Sequence, residues 1–149
     1  MLTVAGAALA GFVGVAAGTG AFTFGYGRGA SYLTDDPAAC ANCHVMQAHY
    51  DAWLRSSHRA AATCNSCHTP KAAVPKYAVK ASNGFWHSVG FTTGRFPDPI
   101  RIKPGNRAVT EARCRYCHDT MTAAIDGRQA PEERRPCTDC HGDVGHRLR

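Results

Sequence analysis

Apolar and small residues run without a single charge from Met1 to Gly27, and nowhere else does the chain repeat that pattern. The stretch LTVAGAALAGFVGVAAGTGAFTFGYG (2–27) predicts one long helix. A bilayer core of about 30 Å needs ~20 apolar residues in helical form, so this segment is long enough to cross. Its seven Gly and seven Ala make it weakly apolar. Ala10, Gly14 and Gly18 align as a small-residue stripe against which a second membrane helix, including one from another copy of the chain, can pack. The apolar run is too long for the core of a cleaved signal peptide and no basic flank precedes it. Residues 1–29 are therefore expected to be an uncleaved N-terminal anchor, and 30–149 a separate extramembrane domain.

Beyond Arg28 the periodicity is broken and local. Val45 to Ala62 is expected to be a helix with His49 and Trp53 on one face. Pro70 and Pro75 interrupt the chain, and a short helix from Lys76 to Asn83 is expected to stop at Gly84 as a C-cap. Residues 94–106, GRFPDPIRIKPGN, carry three Pro and predict a surface loop. Another short helix is expected after the cysteine pair at 114/117, and 131–136 reads as a linker. No strand pattern of useful length occurs. The expected fold is mainly α, small and loop-rich, with one transmembrane helix.

Composition becomes informative at the cysteines. Eight Cys in 149 residues would suggest a disulfide scaffold, but their spacing excludes it. Cys40/Cys43, Cys64/Cys67, Cys114/Cys117 and Cys137/Cys140 are all Cys-x-x-Cys, each followed directly by His. Cys-x-x-Cys-His attaches c-type haem: two thiols form thioethers with the porphyrin vinyls and the adjacent His faces the iron. Two Cys₄ zinc sites are the competing reading, and zinc does not require His after every second cysteine. The starts are 24, 50 and 23 residues apart, which pairs the motifs into two di-haem units.

Four covalent haems also change the meaning of the charge. The formal charge of +6 is offset by eight haem propionates, about −8 in all. Basic residues then serve propionates, and a nucleic-acid partner is not expected. With so short a chain, the porphyrins must supply much of the apolar core.

Iron ligation is the next question. His44, His68, His118 and His141 belong to the motifs, while His49, His58, His87 and His146 remain. The plain reading is four bis-His haems. Met46, two residues after His44, complicates it: on the residues alone it is either a core side chain or a competitor of His44, and thioether ligation raises haem potential.

The anchor, the segment DPAACANCHVM and the four c-type motifs together resemble the NapC/NirT family of membrane-anchored multihaem quinol dehydrogenases. The likeness is narrowest to the branch that forms the small subunit of the ammonia-forming nitrite reductase. It rests on CxxCHxM (Cys40–Met46), Ser57-His58, Lys80 and His146. The resemblance implies that Met46 ligates haem 1 and displaces His44. It pairs His68 with His146 on haem 2 and His118 with His58 on haem 3. Haem 4, with His141, takes no second ligand from its own chain and can receive a Lys from an NrfA-like multihaem catalytic subunit. His49 is left without ligand duty. Lys80 matches the family's quinol-site Lys, and His87 stands where the family has an acidic residue. That departure makes His87 either the proton acceptor, suited by its ordinary pKa near ~6.5, or a sixth ligand of haem 1.

The function so implied is oxidation of menaquinol from the membrane quinone pool and delivery of electrons, haem 1 to haem 4, to a periplasmic nitrite reductase. The chain would sit in a bacterial cytoplasmic membrane as a single-pass protein with its haems on the periplasmic side. Phe85, Trp86, Phe91 and Phe96 are expected either at the membrane interface beside the quinol entrance or packed on porphyrin. Lys76 and Lys80 are expected to meet anionic head groups. The competing classes are a passive tetrahaem electron carrier and a NapC-like hub serving other reductases.

Overall fold

The structure is a computed structural model and describes residues 3–146. Among these residues every regular element is helical. α1 (Val4–Tyr26) has Thr3 as its N-cap, its hydroxyl accepting from the Gly6 amide at 3.3 Å. Twenty-three residues rise about 35 Å, so the long apolar helix expected from sequence forms and is long enough to cross a bilayer core. No residue of α1 is buried, and Leu9, Phe12, Val15 and Phe22 project freely. A helix apolar all round with no buried residue has the character of one that sits in lipid. Arg28, at φ +50°, turns the chain out of it.

A 3₁₀ turn, Gly29–Leu33, leads to a second, Pro37–Asn42, capped by the Asp36 carboxylate on the Ala38 amide at 2.9 Å. A third, His44–Met46, runs into α2 (Gln47–Leu54). α2 is shorter than the expected 45–62. The Trp53 indole N–H donates to the Ala62 carbonyl at 3.0 Å, so residues 55–62 fold back in turns around that ring.

α3 (Cys64–His68) follows, then α4 (Ala73–Thr93). Here the sequence expectation is corrected twice. Pro75 does not interrupt α4 but sits in its first turn, where no intrahelical N–H bond is lost. Gly84 does not end it: the helix runs on to Thr93 and stops at Gly94, whose φ of +68° is the left-handed cap. Residues 95–103 are loop as expected, but Pro104 opens α5 (Pro104–Cys117) as its first residue. α6 (Asp119–Asp126) is the short helix expected after the third motif. The expected linker contains a 3₁₀ turn, Pro131–Glu133, and another, Cys137–Asp139, carries the fourth motif.

The polypeptide core is minimal. Ala39 and Ala52 are the buried hydrophobic residues among those described, and no large side chain is fully enclosed. Packing is concentrated where α3 meets α5.

Candidate functional site: four haem-attachment motifs

Local structure sets each cysteine pair. At the second motif, the Thr63 amide donates to Ser66 Oγ at 3.1 Å, and this capping box starts α3 so that Cys64 and Cys67 fall on one helical face. The third motif fills the last turn of α5, which likewise puts Cys114 and Cys117 on one face. The first and fourth lie in 3₁₀ turns. All eight thiols are free.

The motifs are neighbours in chain order. Cys40 and Cys64 adjoin: the Cys64 thiol holds Cys40 down to about 7, with Lys80 adding to that, while Cys64 itself is pushed up. Cys67 is raised by burial and by Cys117, and Cys114 by burial and by Glu111 and Cys67 beside it. Cys137, raised by burial, stands next to Glu111, Arg115 and Cys114. Arg113 Nε binds the Ser66 carbonyl at 2.7 Å and fastens the second motif to the third.

Two imidazole pairs form across these elements. The His68 and His146 rings are parallel within 13° with centroids 6.0 Å apart, and His58 and His118 are 6.1 Å apart. Two imidazoles on opposite sides of one metal, at ~2 Å per metal–nitrogen bond, have centroids about 6 Å apart. His58 Nδ1–H donates to the Val144 carbonyl at 3.1 Å, which leaves Nε2 with its lone pair available. Burial, with His146 and His49 close by, pushes His68 down to about 4, so it is neutral at physiological pH, as ligation requires. His49 lies 5.2 Å from His146 in a T-shaped contact, and its Nδ1 is buried without a hydrogen-bond partner. The free thiol pairs, the 6 Å imidazole spacings and the near-absent protein core fit covalently bound haem. The donor set does not fit zinc: among the described residues no group of three or more His, Cys, Asp or Glu is placed to hold a metal ion.

Around the first motif, Met46 is half-buried and His44 exposed. Tyr32 OH lies 3.7 Å from Cys43 Sγ. Lys80 reaches back from α4 to the Thr34 carbonyl at 2.7 Å and lies 3.9 Å from Asp35. Lys76 pairs with Asp35 at 2.6 Å, and Tyr77 OH donates to the Leu33 carbonyl at 3.2 Å. The expected contact of Lys76 and Lys80 with head groups therefore gives way to contacts inside the domain. His87 is not brought to Lys80: it lies two turns further along α4, about 10 Å up the axis. It is exposed, and partial desolvation and the Lys103 ammonium hold it below the usual imidazole value. Phe85 and Trp86 are exposed, whereas Phe91 packs on Phe96 at 4.5 Å. A cleft of about 270 Å³ beside this half of α4 is lined by Trp86, Val89, Gly90, Thr93, Arg95 and Lys103.

The fourth motif is held by residues that sequence reasoning did not single out. Glu111, buried on α5, accepts from the Cys137 amide at 2.6 Å, the Thr138 amide at 3.0 Å and the Thr138 hydroxyl at 2.6 Å. Arg115 joins Glu111 at 3.3 Å to Asp126 at 2.8 Å. The only sequence signal was the i,i+4 spacing of Glu111 and Arg115. His141 is exposed and has no ring partner among the described residues.

Comparison with known proteins gives a consistent answer. Residues 3–149 match the NapC/NirT cytochrome c family, N-terminal region. The chain is 37% identical over 128 residues to the cytochrome c-type protein NrfH of Wolinella succinogenes, covering 78% of this chain and 71% of that protein. It is 32% identical over 113 residues to the cytochrome c nitrite reductase subunit NrfH of Nitratidesulfovibrio vulgaris, covering 76% and 69%. Its fold matches a chain in the crystal structure of the cytochrome c nitrite reductase NrfHA complex bound to the inhibitor HQNO. There the TM-score is 0.62 at 33% identity, over 95% of this chain and 88% of that one.

Proposed function

The chain belongs to the NapC/NirT cytochrome c family, and from that membership we propose that it is a membrane-anchored tetrahaem quinol dehydrogenase. Its electrons go to an NrfA-like nitrite reductase on the periplasmic side. The observation that carries this reading is the junction below the membrane helix. Tyr77, Lys80 and Lys76 of α4 strap down residues 33–35, a few residues before Cys40, so the first attachment motif and Lys80 meet where the chain leaves α1.

Residues 1–29 anchor the protein and 30–149 carry the haems. Bound through its eight thiols, haem supplies stepwise one-electron redox chemistry. Met46 is the protein ligand at the first motif and His44 is turned away, in keeping with their burial. His68 and His146 hold the second iron, and His118 and His58 the third, in keeping with the 6 Å spacings. His141 would hold the fourth iron, with a Lys of the reductase as its further ligand.

Menaquinol oxidation releases two electrons and two protons. Lys80 donates a hydrogen bond to the quinol oxygen and holds it beside the first motif. His87 takes protons toward solvent; its lowered basicity makes it a ready donor once charged. Since the two are two turns apart on α4, the proposed proton route between them runs through water.

The test is a vesicle containing menaquinol, this protein and an ammonia-forming nitrite reductase. Nitrite-dependent quinol oxidation with ammonium as product is expected only when both proteins are present. Equal rates with the reductase alone would overturn the proposal.

A further inference from the structure

Glu111 makes three short hydrogen bonds to the fourth attachment peptide, two to backbone amides and one to a hydroxyl. It stands on the helix that carries the third motif, one turn before Cys114. Arg115, between the two cysteines of that motif, closes the brace. Its guanidinium contacts Glu111, the Asp126 carboxylate of α6 and the Arg135 carbonyl at 3.1 Å, two residues before Cys137. Arg107, one turn earlier on α5, adds Thr138 Oγ1 at 3.0 Å and Asp139. Thus the peptide bearing Cys137, Cys140 and His141 has little regular structure of its own and takes its position from charged side chains of α5.

We infer that Glu111 is a positioning residue that fixes the fourth haem-attachment peptide against the helix carrying the third, and so sets the step by which electrons leave the chain. The inference rests on the tetrahaem reading proposed above. A buried carboxylate facing two amides is the arrangement that orients a short peptide most tightly, since charge-assisted bonds are the strong ones. The same negative charge, next to the fourth motif, disfavours reduction of the group attached there.

Glu111→Gln in the full-length detergent-solubilised protein tests this. Glutamine keeps the shape but removes the charge, and it cannot accept all three bonds. We expect unchanged quinol-driven reduction of the first haem, a more positive midpoint for one haem, and several-fold slower delivery to the reductase. An intact mass showing three haems and an unmodified 137–141 peptide would support the same role, exerted at attachment. Thr138→Val, which removes the hydroxyl that donates to Glu111 and accepts from Arg107 but leaves the Glu111 charge in place, is expected to slow delivery without moving the midpoint. Potentials and delivery equal to wild type in Glu111→Gln overturn the inference; if that variant fails to fold, wild-type delivery in Thr138→Val does so. A wild-type protein without haem in its mass spectrum would instead defeat the tetrahaem reading itself.

Discussion

In the proposed function Met46 and Glu111 act through single atoms, and each yields a prediction at that scale. Met46→His replaces a thioether by an imidazole at the first motif, which lowers haem potential. We expect the highest-potential component of the redox titration to move down and quinol oxidation to slow. A titration superimposable on wild type contradicts the ligand assignment. Glu111 titrates at about 2 instead of its ordinary 4.5, held there against burial by the Thr138 and Cys137 donors. Because the folded-state value is depressed, its stabilisation is complete above about pH 4.5 and is lost as pH falls toward about 2. The shift corresponds to ~3 kcal/mol at most. Glu111→Gln is therefore expected to unfold more readily at neutral pH, with a flatter acid limb, by thermal melts followed from pH 7 to pH 2. An acid limb as steep as wild type contradicts it.

Whole elements were legible where the signal is local. The thioether chemistry demands Cys-x-x-Cys-His in one short run, so all four motifs could be read directly. α1 could be read because a span without charge has few alternatives. α4 could not, since Gly84 is an ordinary stop signal and costs only ~1 kcal/mol inside a helix. That cost is offset by ties from elsewhere in the chain: Asn83 accepts from Asn106 of the α5 start at 3.0 Å, and the lysines of α4 reach residues 34 and 35. The early end of α2 depends on Trp53 meeting Ala62, and the bracing of the fourth motif on Glu111 meeting Thr138. Such contacts have no periodicity to betray them. Gly94 is the true cap, and an added Cβ would meet no neighbour there, so its cost is purely backbone. Gly94→Ala is expected to lose about 1 kcal/mol and to lower Tm by ~3 °C; an unchanged Tm would show that α4 does not end in that conformation. In α1, Val13→Lys puts a charge at mid-span at a cost of ~3 kcal/mol and is expected to shift the protein from the membrane to the soluble fraction on cell fractionation. Full membrane retention contradicts a spanning role.

For the molecule as a whole, a near-absent side-chain core is the organising fact. Among the described residues the buried apolar side chains are Ala39 and Ala52, too few to hold the chain together, and the motifs, adjoining in chain order from 40 to 140, define a continuous path through it. Such a protein is expected to fold only with its cofactors. Expression without the haem-attachment machinery should give a chain that is rapidly degraded or binds ANS strongly; a stable, cooperatively melting apoprotein contradicts this. The path has one end near Lys80, where the chain leaves α1, and the other at the exposed His141. We propose that quinol delivers its electrons at the first end. That proposal is tested most directly by mixing the purified oxidised protein anaerobically with a menaquinol analogue and following the haem α-band. Rapid reduction, slowed by Lys80→Ala and by Met46→His, is the predicted result. Haems that stay oxidised with quinol yet are fully reduced by dithionite would contradict it and leave a passive electron carrier.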